Sequence, residues 1–188
     1  MRRIETVFLA GPDPWFPDAE KLTAQRVALC AEAGFNAVTP DLGQGRDENA
    51  RNEVMARALY AENLAKLRGA DALIANFSPW RGPHADPATA FFAGAAAAQG
   101  KPVFAYLNVE DAEEAELRSR IEGWTGAAPD DAGVWRDGDA GEVEDYLLPE
   151  TCMLWAEARR FFVLVVDDPF ADLNGLKLCL DALRLYND

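Results

Sequence analysis

Asp71-Ala-Leu-Ile-Ala-Asn-Phe-Ser-Pro-Trp-Arg-Gly-Pro-His-Ala-Asp-Pro-Ala-Thr-Ala-Phe-Phe-Ala-Gly94 changes character twice. Residues 71–77 form a short apolar run that suits a buried strand. Pro79, Gly82 and Pro83 then punctuate a loop. Asp86-Pro87 opens an Ala-rich helix, because Asp is a favoured N-cap and Pro a favoured first helical residue. A loop that leaves the carboxyl end of a strand and feeds a helix N-terminus is where open α/β sheets place their ligands.

The same grammar recurs on both sides of this stretch. Residues 7–10 predict a strand, followed by the turn-rich Gly11-Pro-Asp-Pro-Trp-Phe-Pro17, and Asp18 can cap a helix ending at Gly34. Residues 35–39 predict a second strand, residues 43–47 a loop, and residues 52–68 a helix. Gly69 stands where a left-handed cap belongs. The Ala-rich helix runs over 87–99, and residues 102–107 predict a fourth strand. Gly34, Gly69 and Gly100 each precede a strand, so the chain alternates helix and strand, the pattern of a parallel sheet with helical crossovers. Beyond residue 108 the pattern predicts a charged, exposed helix over 110–122 and a mobile loop over 123–141. It then predicts helices over 149–162 and 168–186, with 163–166 open to a strand reading. The expectation is one α/β domain over residues 1–188, with residues 123–141 as a variable loop or lid. The sheet should be doubly wound, mainly parallel, flanked by helices and flavodoxin-like or Rossmann-like.

The chain has 188 residues, 18 basic and 32 acidic side chains, and a net charge of −14. So acidic a surface repels phosphate backbones, which argues against nucleic acid as a partner, although a single Arg or helix terminus can still hold a small anion. No apolar run approaches the roughly 18 residues of a membrane span, and Arg2-Arg3 leads straight into a strand rather than a signal peptide. The expectation is a cytoplasmic protein with no membrane partner. Cys30, Cys152 and Cys179 are odd in number and widely spaced, which predicts reduced, buried thiols. With His84 as its one histidine, the chain offers little for a metal site or a Ser-His-Asp triad, and neither metal nor cofactor is expected.

Several side chains around the opening stretch have two readings. Asp86 caps the helix, and a helix N-terminus facing a cleft also turns an Asp toward a ligand. Ala88, Ala90, Ala93 and Gly94 leave the helix with little bulk, so that Phe91 and Phe92 stand out; one should face the sheet and the other the cleft. Arg81 suits a phosphate or carboxylate, or pairs with a neighbouring acid. His84 either donates to a ligand or is solvated. Trp15, Phe16 and Trp80 either stack on a flat ligand or pack beneath the loops.

The run Ala75-Asn76-Phe77-Ser78-Pro79-Trp80-Arg81-Gly82-Pro83-His84-Ala85-Asp86-Pro87-Ala88-Thr89-Ala90-Phe91-Phe92-Ala93-Gly94 closely resembles the signature of nucleoside 2-deoxyribosyltransferases. Members of that family read approximately Ala-Asn-Leu-Thr-Pro-Phe-Arg-Gly-Pro-x-x-Asp-Pro-Gly-Thr-Ala-Phe-Glu-x-Gly. Phe8-Leu9-Ala10-Gly11-Pro12-Asp13 is similar to the family's opening Tyr-Leu-Ala-Gly-Pro, and the likeness extends through Asn63 to Asp71, Gly100 to Val103 and Val143 to Leu154. It covers most of the chain and is weakest over 121–142.

The resemblance implies an enzyme that cleaves the N-glycosidic bond of a 2'-deoxynucleoside or its monophosphate. A glutamate captures the sugar covalently before a second base or water accepts it, the logic of retaining glycosidases. It implies a pocket completed by a neighbouring subunit, and so a homodimer or larger assembly. Residue by residue, it places Asp86 as the assisting aspartate. Gly11, Pro12, Asp13, Asn63, Arg81 and Asp86 become substrate contacts, and Met153 lies in the segment lent by the neighbour. Three positions depart from the pattern: Phe92 replaces the glutamate, Phe8 the tyrosine that would bond it, and Thr151 the neighbour's asparagine. The changes are chemically coherent, because a buried tyrosine hydroxyl without its acceptor costs about 1–3 kcal/mol. Residues 89–99 contain no acid to replace the glutamate, leaving Glu53, Glu62 and Asp130 as acids that the fold would have to bring in. The resemblance leaves two functions open: an active transferase or nucleosidase, and a catalytically inactive relative that binds a nucleoside or serves as a scaffold.

Overall fold

The structure is a computed structural model that describes residues 3–43 and 51–187. Its body is a five-stranded parallel sheet built from β1 (Thr6–Ala10), β2 (Asn36–Val38), β3 (Ala72–Asn76), β4 (Val103–Val109) and a last strand, Ala158–Val165. A short antiparallel hairpin, β5 (Ala128–Pro129) with β6 (Trp135–Arg136), stands apart, so the last strand is β7. The helices are α1 (Ala19–Glu32), α2 (Glu53–Gly69), α3 (Pro87–Ala98), α4 (Leu117–Thr125), α5 (Cys152–Glu157) and α6 (Asn174–Asn187).

The two-residue period of the strands sorts the core into two layers. Val7 and Leu9 of β1, Ala72 and Ile74 of β3, and Phe104 and Tyr106 of β4 face α1 and α6, where Cys30, Leu176, Cys179 and Leu183 close the layer. Phe8 and Ala10, Leu73 and Ala75, and Val103 and Ala105 face the other way, onto Leu67 of α2 and Phe92, Ala93 and Ala96 of α3. The small residues of α3 bring that helix close to the sheet. The strand order β2-β1-β3-β4-β7 reverses between β1 and β3, and the crevice at their carboxyl ends is the switch point where such sheets bind ligands. The doubly wound parallel architecture expected from the alternation is the one observed.

The differences lie mostly after residue 108. The helix expected over 149–162 is only α5; from Ala158 the chain is extended because Phe161, Phe162, Val163 and Leu164 pair with the free edge of β4 over residues 105–108. Ladder bonds and β-branched packing outweigh local helical propensity there. The strand reading of 163–166 thus holds as part of a longer β7. The last helix starts at Asn174 rather than 168, and the charged helix over 110–122 divides into a 3-10 turn (Ala112–Ala115) and α4. That helix is not wholly exposed, since Leu117, Arg120 and Ile121 are buried. The expected loop over 123–141 contains the β5–β6 hairpin, packed by Trp135 on a satellite core of Leu117, Ile121, Ala127 and Val143.

Gly34 and Gly100, just past α1 and α3, adopt a left-handed backbone (φ 88° and 69°). Gly69 does not: it is the last residue of α2, and the cap is the extended Ala70. Asp18 precedes α1 but makes no side-chain cap bond, whereas Asn52 accepts from the Met55 amide at the start of α2. Cys30 and Cys179 are buried as expected; Cys152 is only half-buried. Beyond Gly43, the loop expected over 43–47 lies outside the described residues. Among the described residues no helix is long and apolar enough to cross a membrane.

Candidate functional site

The loops leaving β1, β3 and β4 are tied together by buried polar side chains. Asn76, at the end of β3, donates through Nδ2 to Asp13 Oδ1 at 3.2 Å. Its own Oδ1 accepts from the Ser78 amide at 3.0 Å and the Ser78 hydroxyl at 2.5 Å. Ser78 Oγ accepts from the Asn108 amide at 3.0 Å, and Asn108 Nδ2 donates to the Pro169 carbonyl at 3.1 Å. Asp13 also forms a buried ion pair with Arg26 of α1. Burial pushes the Asp13 carboxyl above its usual range, opposed by the Arg26 charge and by the bonds from Arg26 and Asn76. Gly11 has to be a glycine here: a Cβ would lie 2.6 Å from Asp13 Oδ2 and 2.9 Å from Asn76 Cβ. Above these polar groups sit three rings from three loops. Phe16 lies 5.0 Å from Trp80 and 4.7 Å from Phe170, and Trp80 lies 5.7 Å from Phe170, all between centroids. Phe16 therefore packs beneath the loops, while Trp15 is 40% exposed.

Next to this cluster opens a cleft of about 550 Å³ lined by Trp15, Trp80, Arg81, His84, Asp86 and Trp124. Asp86 does what its place before Pro87 predicts: Oδ2 accepts from the Thr89 amide at 2.9 Å and the Thr89 hydroxyl at 3.1 Å. Its other oxygen accepts no hydrogen bond among the described residues. The two readings of Asp86 are thus compatible, since one oxygen caps α3 and the side chain still lines the cleft. Arg81 has a left-handed backbone (φ 57°), unusual for a residue with a side chain, and its guanidinium lies 5.1 Å from the Trp80 ring centre. It has no acidic partner among the described residues. His84 Nδ1 lies 3.4 Å from Glu150 Oε1, and half of the histidine side chain is exposed.

Phe92, six residues along α3, is in different surroundings. It is 5% exposed and its ring lies 5.0 Å from that of the fully buried Phe8, tilted at 54°. Of the two adjacent rings, Phe92 faces the sheet and Phe91 faces out, 48% exposed, against Tyr60. None of the alternative acids reaches the cleft. Glu53 pairs with Arg57 at 2.6 Å, Glu62 with Lys66 at 2.9 Å, and Asp130, in the turn of the hairpin, with Arg136 at 2.9 Å, and none of the three lines the cleft.

The other expected contacts are dispersed. Gly11 and Asp13 line a separate hollow of about 450 Å³ with Arg26, Thr39 and Pro40, on the α1 side of the sheet. Pro12, beside them, accepts the Trp15 amide at 2.9 Å and so sets the turn that presents Trp15. Asn63 is buried and both ends of its amide are engaged by the backbone of Asp41, at 2.9 and 2.7 Å. Met153 is 78% exposed on α5, away from the cleft lining. The fold thus brings Arg81 and Asp86 together and leaves Asn63, Met153 and the residue 11–13 turn outside their cleft.

Three residues of the cleft region escaped sequence reasoning: Trp124, which lines it, and the buried pair Arg120 and Glu150 behind it. One signal was present. Leu117 and Ile121 are apolar at i and i+4, and Arg120 falls on the same helical stripe. Among the described residues no group of three or more His, Cys, Asp or Glu side chains is placed to hold a metal ion.

A five-stranded parallel sheet with a cleft at its switch point defines an open, doubly wound α/β fold. The sequence profile described as Nucleoside 2-deoxyribosyltransferase matches residues 7–146, and the chain belongs to that family. The uncharacterized protein C191.05c of Schizosaccharomyces pombe is 29% identical over 146 residues, covering 76% of this chain and 68% of that one. In fold, the chain is similar to a 2-desoxiribosyltransferase from Leishmania mexicana (TM-score 0.63, 24% identity, covering 94% of this chain and 97% of that one). It is also similar to the 2-deoxyribosyltransferase of Bacillus psychrosaccharolyticus (TM-score 0.52, 14% identity, covering 92% and 90%).

Proposed function

We propose that the chain binds a 2'-deoxynucleoside or its monophosphate in the Asp86 cleft and does not carry the sugar as a covalent carboxylate ester. The observation that carries this reading is the burial of Phe92 against Phe8 at 5.0 Å, at the position where the family signature has a glutamate. A phenyl ring has no lone pair with which to capture an oxocarbenium-like carbon, and losing a nucleophile typically removes several orders of magnitude in rate. What remains suits recognition. Trp15, Trp80 and Trp124 offer flat faces for a base, Arg81 a cation with no acidic partner among the described residues, and Asp86 a carboxylate oxygen, not hydrogen-bonded among those residues, for a sugar hydroxyl or a base N–H. We extend the reading to a homo-oligomer, since the exposed Met153 and Trp155 of α5 suit contact with a second copy; light scattering tests this.

The central test is to incubate the protein with 2'-deoxyinosine and adenine, follow base exchange by chromatography, and measure 2'-deoxyinosine binding by calorimetric titration. Binding without exchange is the expected result. Exchange abolished by Asp86→Ala would overturn the non-covalent reading in favour of an active enzyme, and absence of binding would overturn both.

A further inference from the structure

We propose that Arg120 and Glu150 are positioning residues that hold the two walls of the Asp86 cleft, the 83–86 loop and the Trp124 end of α4, at a fixed separation. The proposal rests on the reading of that cleft as the ligand site.

Both side chains are more than nine-tenths buried, Arg120 at 7% and Glu150 at 1% exposure. The guanidinium reaches three separate segments. Nε donates to the Pro83 carbonyl at 2.7 Å, Nη1 to the Glu114 carbonyl at 2.6 Å, and Nη2 to the Pro149 carbonyl at 2.5 Å. Nη2 also lies 3.7 Å from Glu150 Oε2. The carboxylate completes the junction: Oε2 accepts the Ala85 amide at 3.0 Å, and Oε1 accepts the Thr151 amide at 2.9 Å and lies 3.4 Å from His84 Nδ1. Ala85 is the residue before Asp86. Arg120 precedes Trp124 by one helical turn on α4, so the two walls meet at this one pair.

Two features separate this arrangement from a generic ion pair. A buried pair is seldom the most stable way to fill such a space, and apolar residues often serve stability as well or better. Desolvation also lowers the Arg120 pKa against the opposing charges of Glu150 and Glu114, so burial has a real cost. Three carbonyls in the planar fork of one guanidinium, with two amides and a ring nitrogen on one carboxylate, specify geometry in a way that apolar packing does not. α4 and the hairpin pack on their own small core of Leu117, Ile121, Ala127 and Val143, and this junction is a buried polar tie between that core's helix and the 83–86 loop.

The test uses the full chain and two measurements. Glu150→Gln keeps an acceptor oxygen and the side-chain size while removing the charge; Arg120→Lys keeps the charge and loses the fork. Amide hydrogen exchange read by mass spectrometry should rise about tenfold at Ala85 and in residues 117–125 of either variant, while amides of β3 and β4 keep their rates. The Kd for 2'-deoxyinosine should rise about tenfold, with Glu150→Asp, which restores the charge, falling between. Unchanged exchange at Ala85 would overturn the proposal. So would a uniform rise that includes β3 and β4, because that is general destabilisation. If the wild-type chain binds no 2'-deoxyinosine, the reading of the cleft fails, and the exchange measurement still decides whether the pair fixes its walls.

Discussion

Asp86 and Phe92 stand six residues apart on one helix and lie in opposite environments. Asp86 caps the first turn of α3, shares a cleft with Arg81 and His84, and has one oxygen with no hydrogen bond among the described residues. Phe92 is sealed between α3 and the sheet with Phe8, Leu73 and Ala93. The helix is continuous between them, so the contrast comes from helical rotation and from what each face meets. In this chain the polar end of the signature stretch lines a cleft, whereas position 92 is part of the core.

Putting the carboxylate back is the strongest way to break that contrast. Phe92→Glu should destabilise the fold by about 3–5 kcal/mol in urea denaturation, because it buries an uncompensated charge and removes a packed ring. Adding Phe8→Tyr supplies a donor and should recover about 1 kcal/mol. A variant as stable as wild type would mean that water already reaches position 92. The floor of the switch point is next. Gly11→Ala drives a Cβ into Asp13 and Asn76 and should cost about 1–3 kcal/mol, measured the same way.

The Asp86 side of the comparison is sharpened by a pair of variants. Asp86→Ala should lose about 1 kcal/mol of stability with the cap, whereas Asp86→Asn caps almost as well and should keep it. Both should weaken 2'-deoxyinosine binding; an Asp86→Asn protein that binds normally would reduce Asp86 to a cap.

At neutral pH the smallest effect belongs to the far layer of the core. Burial pushes the Cys30 thiol from 9.0 up to about 12. Below about pH 9 the thiol is neutral in both folded and unfolded chains; above it, only the unfolded chain loses the proton. Stability should therefore decline as pH rises from about 9 to 12, and Cys30→Ala should make that decline shallower while the buried Cys179 and Tyr106, also pushed up by burial, keep part of it. Under native conditions iodoacetamide should label Cys152, half-buried on α5, ahead of Cys30 and Cys179, as mass spectrometry would show.

The strands and helices up to residue 107 were legible because each is a local pattern: apolar runs of strand length, Asp86-Pro87 as a cap, glycines closing helices. β7 was harder to read because residues 152–162 have acceptable helical propensity, and only the open edge of β4 makes the extended form better. Gly69 was misread for a related reason, since a helix followed at once by a buried strand can leave through an extended Ala70 without a left-handed residue. In the site, the juxtaposition of Arg81 and Asp86 follows from their nearness in sequence. The 11–13 turn faces the other layer of the sheet, and Asn63 is occupied by the backbone of Asp41.

By itself the sequence determined the alternation of elements, the parallel sheet, the family, and the absence of a carboxylate at position 92. Each of these is carried by residue identity or by a period of two to four residues. Tertiary structure alone decided that Phe92 packs on Phe8, that Asp86 lines a cleft with one oxygen not hydrogen-bonded among the described residues, and that Arg120 and Glu150 join segments up to 66 residues apart. Those outcomes depend on which surfaces long-range packing brings into contact and deprives of water, and no local period encodes that.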